Sequence, residues 1–131
     1  MKGAYCLEMI VSADSEIKIG ALGKIHFKKG KYVYVGSAMN SLEKRIGRHL
    51  QKNKKKHWHI DYLLANNNVK TEKAYFIESP KKIECALANW IAEKGDLVNG
   101  FGYSDCKCNS HLFRVAGVSF IEGNNLLGKF K

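Results

Sequence analysis

The chain of 131 residues has a single proline, Pro80, and few acidic residues, 12 against 22 lysines and arginines. No apolar run approaches the roughly 20 residues needed to cross a bilayer, which argues against a membrane partner. The first residues lack the apolar stretch and small-residue cleavage site of a secretory leader. No Pro/Ser-rich linker, low-complexity block or internal repeat marks a domain boundary. These absences set the first expectations: one domain over residues 1–131, soluble and cytoplasmic. In that compartment the four cysteines, Cys6, Cys85, Cys106 and Cys108, are expected to be reduced thiols or metal ligands rather than disulfides.

What is present fits a folded domain, since 45% hydrophobic and 11% aromatic residues can fill a core in a chain of modal domain length. The formal net charge of +10 sets up a field that attracts polyanions, of which nucleic acid is the commonest inside cells. Residues 4–11 form a mostly apolar run of strand length. Between Ile17 and Phe27 apolar and polar residues alternate around Gly20 and Gly23, which suits two short strands joined by a turn or bulge. Tyr32 to Val35 is aromatic and β-branched throughout, predicting a strand that stops at Gly36.

Asn40 and Glu43 have the spacing of a capping box, and Leu42, Ile46 and Leu50 then recur every four residues. A helix is predicted from about Ser41 to Lys52, with Arg45, Arg48, His49 and Lys52 on its other face. Further predictions are a short helix over residues 57–64, a strand over 73–78, and a helix over 80–94 opened by Ser79-Pro80 and ended by Gly95. Residues 99–110 read as a loop, 112–121 as a last strand, and the remainder as a frayed basic tail. This order predicts an α+β fold with a small, mainly antiparallel sheet flanked by helices.

Gly3-Ala4-Tyr5 opens the first strand, Tyr34-Val35-Gly36 closes the third, and Arg45 lies on the helix that follows. Together these residues resemble the GIY-YIG nuclease superfamily, most closely over Tyr34 to Arg45. The whole chain, with its segments around His57 to Leu64 and Ser104 to Phe113, is similar to a largely archaeal branch of that superfamily. In some members the domain is fused to endonuclease III-type repair proteins, so an association with base-excision repair proteins is expected. The resemblance implies a metal-dependent endonuclease acting on DNA rather than RNA. Tyr5 and Tyr34 would lie near the attacking water, Arg45 would grip phosphate by paired hydrogen bonds, and Glu84 would hold Mg²⁺ or Mn²⁺. A tyrosine serves as base only if its phenol, ordinarily near about 10, is driven down by cations or metal.

Two features depart from the superfamily pattern. The Tyr5–Tyr34 interval is longer than usual, and Ser37 stands where several relatives carry lysine, so either another cation, Arg48 or His49, substitutes or activity is reduced. Arg45, Arg48 and His49 lie at i, i+3 and i+4, which would let all three approach one phosphate. Lys52, Lys54, Lys55 and Lys56 read as a phosphate-tracking edge, followed by Trp58, whose ring could stack on a base. Cys106, Cys108 and His111, with Asp105 beside them and Cys6, Cys85, His57 or His59 as residues that could complete a ligand set, allow three readings: thiols packed in a local loop, a zinc site, or the lining of a nucleic-acid cleft. The loop reading is preferred to zinc. Two rival functions stand beside the nuclease: a non-catalytic nucleic-acid-binding module with the same fold, and a zinc-stabilised structural domain.

Overall fold

The computed structural model describes residues 2–38, 41–51, 58–81, 83–98, 101, 110–117, 121 and 128–130. Strand β1 (Gly3–Val11) is the centre of the fold, buried on both faces and paired antiparallel with β4 (Gly30–Ala38) and β5 (Val69–Glu78). Short strands β6 (Gly95–Leu97), β7 (Leu112–Val115) and β8 (Gly128–Phe130) complete a six-stranded sheet in the order β6-β7-β4-β1-β5-β8. Every pairing in it is antiparallel. The alternating segment after β1 forms a separate hairpin, β2 (Ser15–Lys18) and β3 (Lys24–Phe27), joined by a 3₁₀ turn over Gly20–Leu22. This hairpin occupies the long interval between the two motif tyrosines without disturbing their strands, which pair from Gly3↔Ala38 to Val11↔Gly30.

The pleat of β1 divides the core in two. Tyr5, Leu7, Met9 and Val11 face one side, where they meet α1 (Leu42–Leu50) through Leu42 and Ile46, α2 (His59–Leu64) through Ile60, Leu63 and Leu64, and the hairpin through Ile17, Ile19 and Phe27. Cys6 faces the other side, with Val33, Val35, Phe113 and Val115, under α3 (Glu84–Ala92) through Ala88 and Ile91. The result is the expected α+β architecture, with helices on both faces of an antiparallel sheet.

Several local expectations are corrected. The hydroxyl that caps α1 is that of Ser41, which accepts the Lys44 N–H at 3.2 Å. Helix α3 starts at Glu84 rather than 80, because the Ser79 hydroxyl accepts the Lys81 N–H at 3.1 Å and holds a turn there. Gly95 does not simply stop that helix but begins β6, and the tail contributes β8, hydrogen-bonded to β5. Strand β4 runs two residues past Gly36.

Gly36 is required by a close approach. It is the register partner of Tyr5, and the Tyr5 ring lies where a Gly36 side chain would stand. Gly36→Ala is expected to cost about 1–3 kcal/mol by overpacking. Gly47, inside α1 with open space around it, provides the control: Gly47→Ala is expected to stabilise by about 0.5–1 kcal/mol. Urea unfolding of the two variants should move in opposite directions.

Candidate active site

Tyr5, from β1, is 1% exposed, and its hydroxyl lies 2.7 Å from Nε2 of His49 in the last turn of α1. Tyr34, from β4, is 8% exposed, its ring centroid 6.3 Å from that of Tyr5 and 6.2 Å from that of His49. Arg45, one turn before His49, donates to the Ser37 carbonyl at 3.1 Å, and its charge acts on the Tyr5 phenol. Its guanidinium carbon sits 4.4 Å from the centre of the Trp58 ring. Helix α3 packs on the opposite face of the sheet, yet the charge of Glu84 in its first turn is felt by both tyrosines. Three elements therefore bring Tyr5, Tyr34, Arg45 and His49 together, while Glu84 acts on the two phenols through its charge.

The face assigned to α1 needs correction. Its buried stripe is Leu42, Ile46 and His49, while Leu50 is 48% exposed. His49 thus points into the protein toward Tyr5 rather than lying with Arg48 on a phosphate-facing surface. Arg48 is also engaged, because its two terminal nitrogens donate to the two oxygens of Asp61 at 2.9 and 3.0 Å. Its guanidinium carbon lies 4.5 Å from the centre of the Trp58 ring. Of the three residues expected to approach one phosphate, His49 and Arg48 are thus held by Tyr5 and Asp61. Trp58 carries two guanidiniums, a cation–π arrangement that competes with base stacking.

Asp61 was not singled out by sequence reasoning. It is fully buried, accepts the Trp58 N–H at 2.9 Å at the start of α2, and lies 4.0 Å from Nδ1 of His49. Its only sequence signal is its place three residues after Trp58, the N3 position of a helix. His59 packs its ring 5.6 Å from that of Phe101, which in turn lies 6.1 Å from Tyr34. His111 reaches the same residue through its backbone, donating to the Phe101 carbonyl at 2.8 Å. Lys52, Lys54, Lys55, Lys56, His57, Asp105, Cys106 and Cys108 lie outside the described residues. Among the described residues, no group of three or more His, Cys, Asp or Glu side chains could hold a metal ion.

Electrostatics set the chemistry. Burial pushes the Tyr5 phenol well above its ordinary value; Tyr34 and Glu84 add to this, while Arg45 opposes it. Burial and Glu84 likewise push Tyr34 up, again against Arg45. Burial outweighs the nearby cation in both cases, so neither phenol is a ready phenolate, contrary to what a simple tyrosine base requires. Burial also pushes the Cys6 thiol up to about 12 and lowers His59.

The chain belongs to the family described as "Domain of unknown function DUF123", whose model matches residues 4–124. That span contains Tyr5, Tyr34, Arg45, His49, Asp61 and Glu84. No curated protein and no solved structure matches the chain.

Two outcomes are expected. Arg48→Ala leaves the buried Asp61 carboxylate without its main counter-charge and should cost about 3–5 kcal/mol in urea unfolding. Alkali should also destabilise the fold. Above about pH 9 the unfolded thiol and then the unfolded phenols lose protons that folded Cys6, Tyr5 and Tyr34 keep, so stability declines as pH rises toward about 12. Urea midpoints across that range check the sign.

Proposed function

We propose that this member of the DUF123 family is a metal-dependent nuclease domain of the GIY-YIG kind, hydrolysing phosphodiester bonds in DNA. The observation that carries the reading is the convergence of Tyr5, Tyr34, Arg45 and His49 from three separate elements, with the charge of buried Glu84 acting on both phenols. Chance burial of polar groups does not call for two phenols, an imidazole and a guanidinium at one place. The net charge of +10 supports a polyanionic substrate.

Glu84 would hold the divalent ion. A single carboxylate suits Mg²⁺ or Mn²⁺, which take most of their ligands from water and substrate phosphate, and it does not make the closed ligand set of structural zinc. When bound, the ion supplies charge stabilisation to the phosphoryl and leaving oxygens.

The residues of the chain divide the remaining work. Arg45 is already oriented by the Ser37 carbonyl and the Trp58 ring, and it presents its guanidinium to a phosphate oxygen. Tyr34 keeps its proton because burial raises it, and so orients the attacking water by hydrogen bonding. Tyr5 relays rather than ionises: its oxygen takes the proton of water as its own proton passes to His49 Nε2, 2.7 Å away. The hydroxide oxygen bonds to phosphorus, the bond to the leaving nucleoside oxygen breaks, that oxygen takes a proton from solvent, and His49 returns its proton to solvent by the reverse of the relay.

One observation favours a second reading, a nucleic-acid-binding module without cleavage. The same burial that keeps both phenols protonated would also suit structural tyrosines. A single assay separates the readings: nicking of plasmid and cleavage of branched and single-stranded DNA with Mg²⁺ or Mn²⁺. The nuclease reading expects cleavage that falls roughly 100- to 1,000-fold in Arg45→Ala. Glu84→Gln should abolish cleavage with either ion, with both variants folded by circular dichroism. Salt-sensitive binding with no cleavage under any of these conditions supports the binding module instead.

A further inference from the structure

We infer that Asp61 is a positioning residue for the Tyr5 relay, acting through His49. The inference deepens the nuclease reading and rests on it for its catalytic meaning, though its geometry can be tested without any activity.

The imidazole of His49 is surrounded on every side. Tyr5 of β1 meets Nε2 at 2.7 Å, and Tyr34 of β4 lies edge-on at 6.2 Å between centroids. Trp58 lies edge-on at 6.0 Å, and Asp61 of α2 approaches Nδ1 at 4.0 Å. Arg45 and Arg48 flank it on α1. A neutral imidazole carries its proton on one nitrogen and offers the other as an acceptor. A carboxylate beside Nδ1 favours the proton there, which leaves Nε2 to accept from the Tyr5 hydroxyl. The opposite tautomer would donate from Nε2 to Tyr5 and close the route by which Tyr5 passes its proton on. As the relay runs, His49 becomes an imidazolium with Asp61 beside it.

The rest of the structure holds that carboxylate in place. Both Asp61 oxygens receive a guanidinium nitrogen of Arg48, and one of them also accepts the Trp58 N–H. Asp61 cannot turn away from His49 without giving up these bonds. A carboxylate serving only as a helix cap would need neither complete burial nor a bidentate arginine.

The test is the tautomer of His49, read from its ring ¹⁵N shifts in the full-length protein at about pH 8, above the ordinary imidazole range. The expected result is a proton on Nδ1 in the wild type. In Asp61→Asn, which keeps an acceptor for the Trp58 N–H but removes the charge, population should shift toward the Nε2–H form. A wild-type ring protonated on Nε2 overturns the inference with no variant needed, as does an unchanged tautomer in a folded Asp61→Asn protein. With cleavable DNA, Asp61→Asn is expected to lower kcat by about 100-fold and to leave KM within about twofold, because the proton route rather than phosphate binding is lost. An Nδ1–H wild type that cuts no DNA would sink the nuclease reading while leaving the placement of Asp61 intact.

Discussion

A carboxylate with none of its surface in water is the constraint around which the candidate site is arranged. Burying the charge of Asp61 is costly unless it is paired and hydrogen-bonded. The protein meets that demand with both terminal nitrogens of Arg48 and the backbone N–H of Trp58. These bonds tie α1 to the start of α2 and hold both over the Tyr5 end of the sheet. Arg48 in turn lies against Trp58, whose ring also carries Arg45. One buried charge therefore helps hold a guanidinium and an imidazole against two phenols that the sheet places side by side.

The same end of the sheet shows why the tyrosine motifs contain glycine. Tyr5 and Gly36 are register partners on adjacent strands, and the ring of the first fills the space left by the second. Gly3 plays a similar part on the other side of β1, where a Cβ would strike the Ile77 carbonyl of β5. Close strand approach allows two phenols to sit side by side at 6.3 Å under α1. Their burial then raises both, so in the proposed relay it is the imidazole behind them that accepts the proton.

Much of this was legible in the residues. Strands β1 and β4 and helix α1 followed from runs and periodicities, and Tyr5, Tyr34, Arg45 and Glu84 were all named from motif positions. His49 was named but faced the wrong way. On a helix advancing about 100° per residue, Leu42 and Ile46 define an inward direction from which position 49 deviates by about 40° and position 50 by about 60°. Spacing barely separates them, and the Tyr5 hydroxyl, 44 residues distant in sequence, decides for the histidine. Asp61 was missed for a related reason: an isolated aspartate reads as a surface residue until Arg48, 13 positions earlier, is seen to pair with it. Strands β6 and β8 have three residues each, too few for any periodicity, and exist because β7 and β5 offer open edges.

In the proposed nuclease, the tyrosines, Arg45 and Glu84 form one metal-loaded centre on a DNA phosphate. Titration of Mn²⁺ into the isotope-labelled protein bound to a cleavage-resistant phosphorothioate duplex tests it most directly, since paramagnetic broadening reports which residues surround the ion. Signals of Glu84, Tyr5 and Tyr34 are expected to broaden first, with those of the β2–β3 hairpin unaffected. Broadening centred elsewhere, or none at saturating duplex, would contradict it.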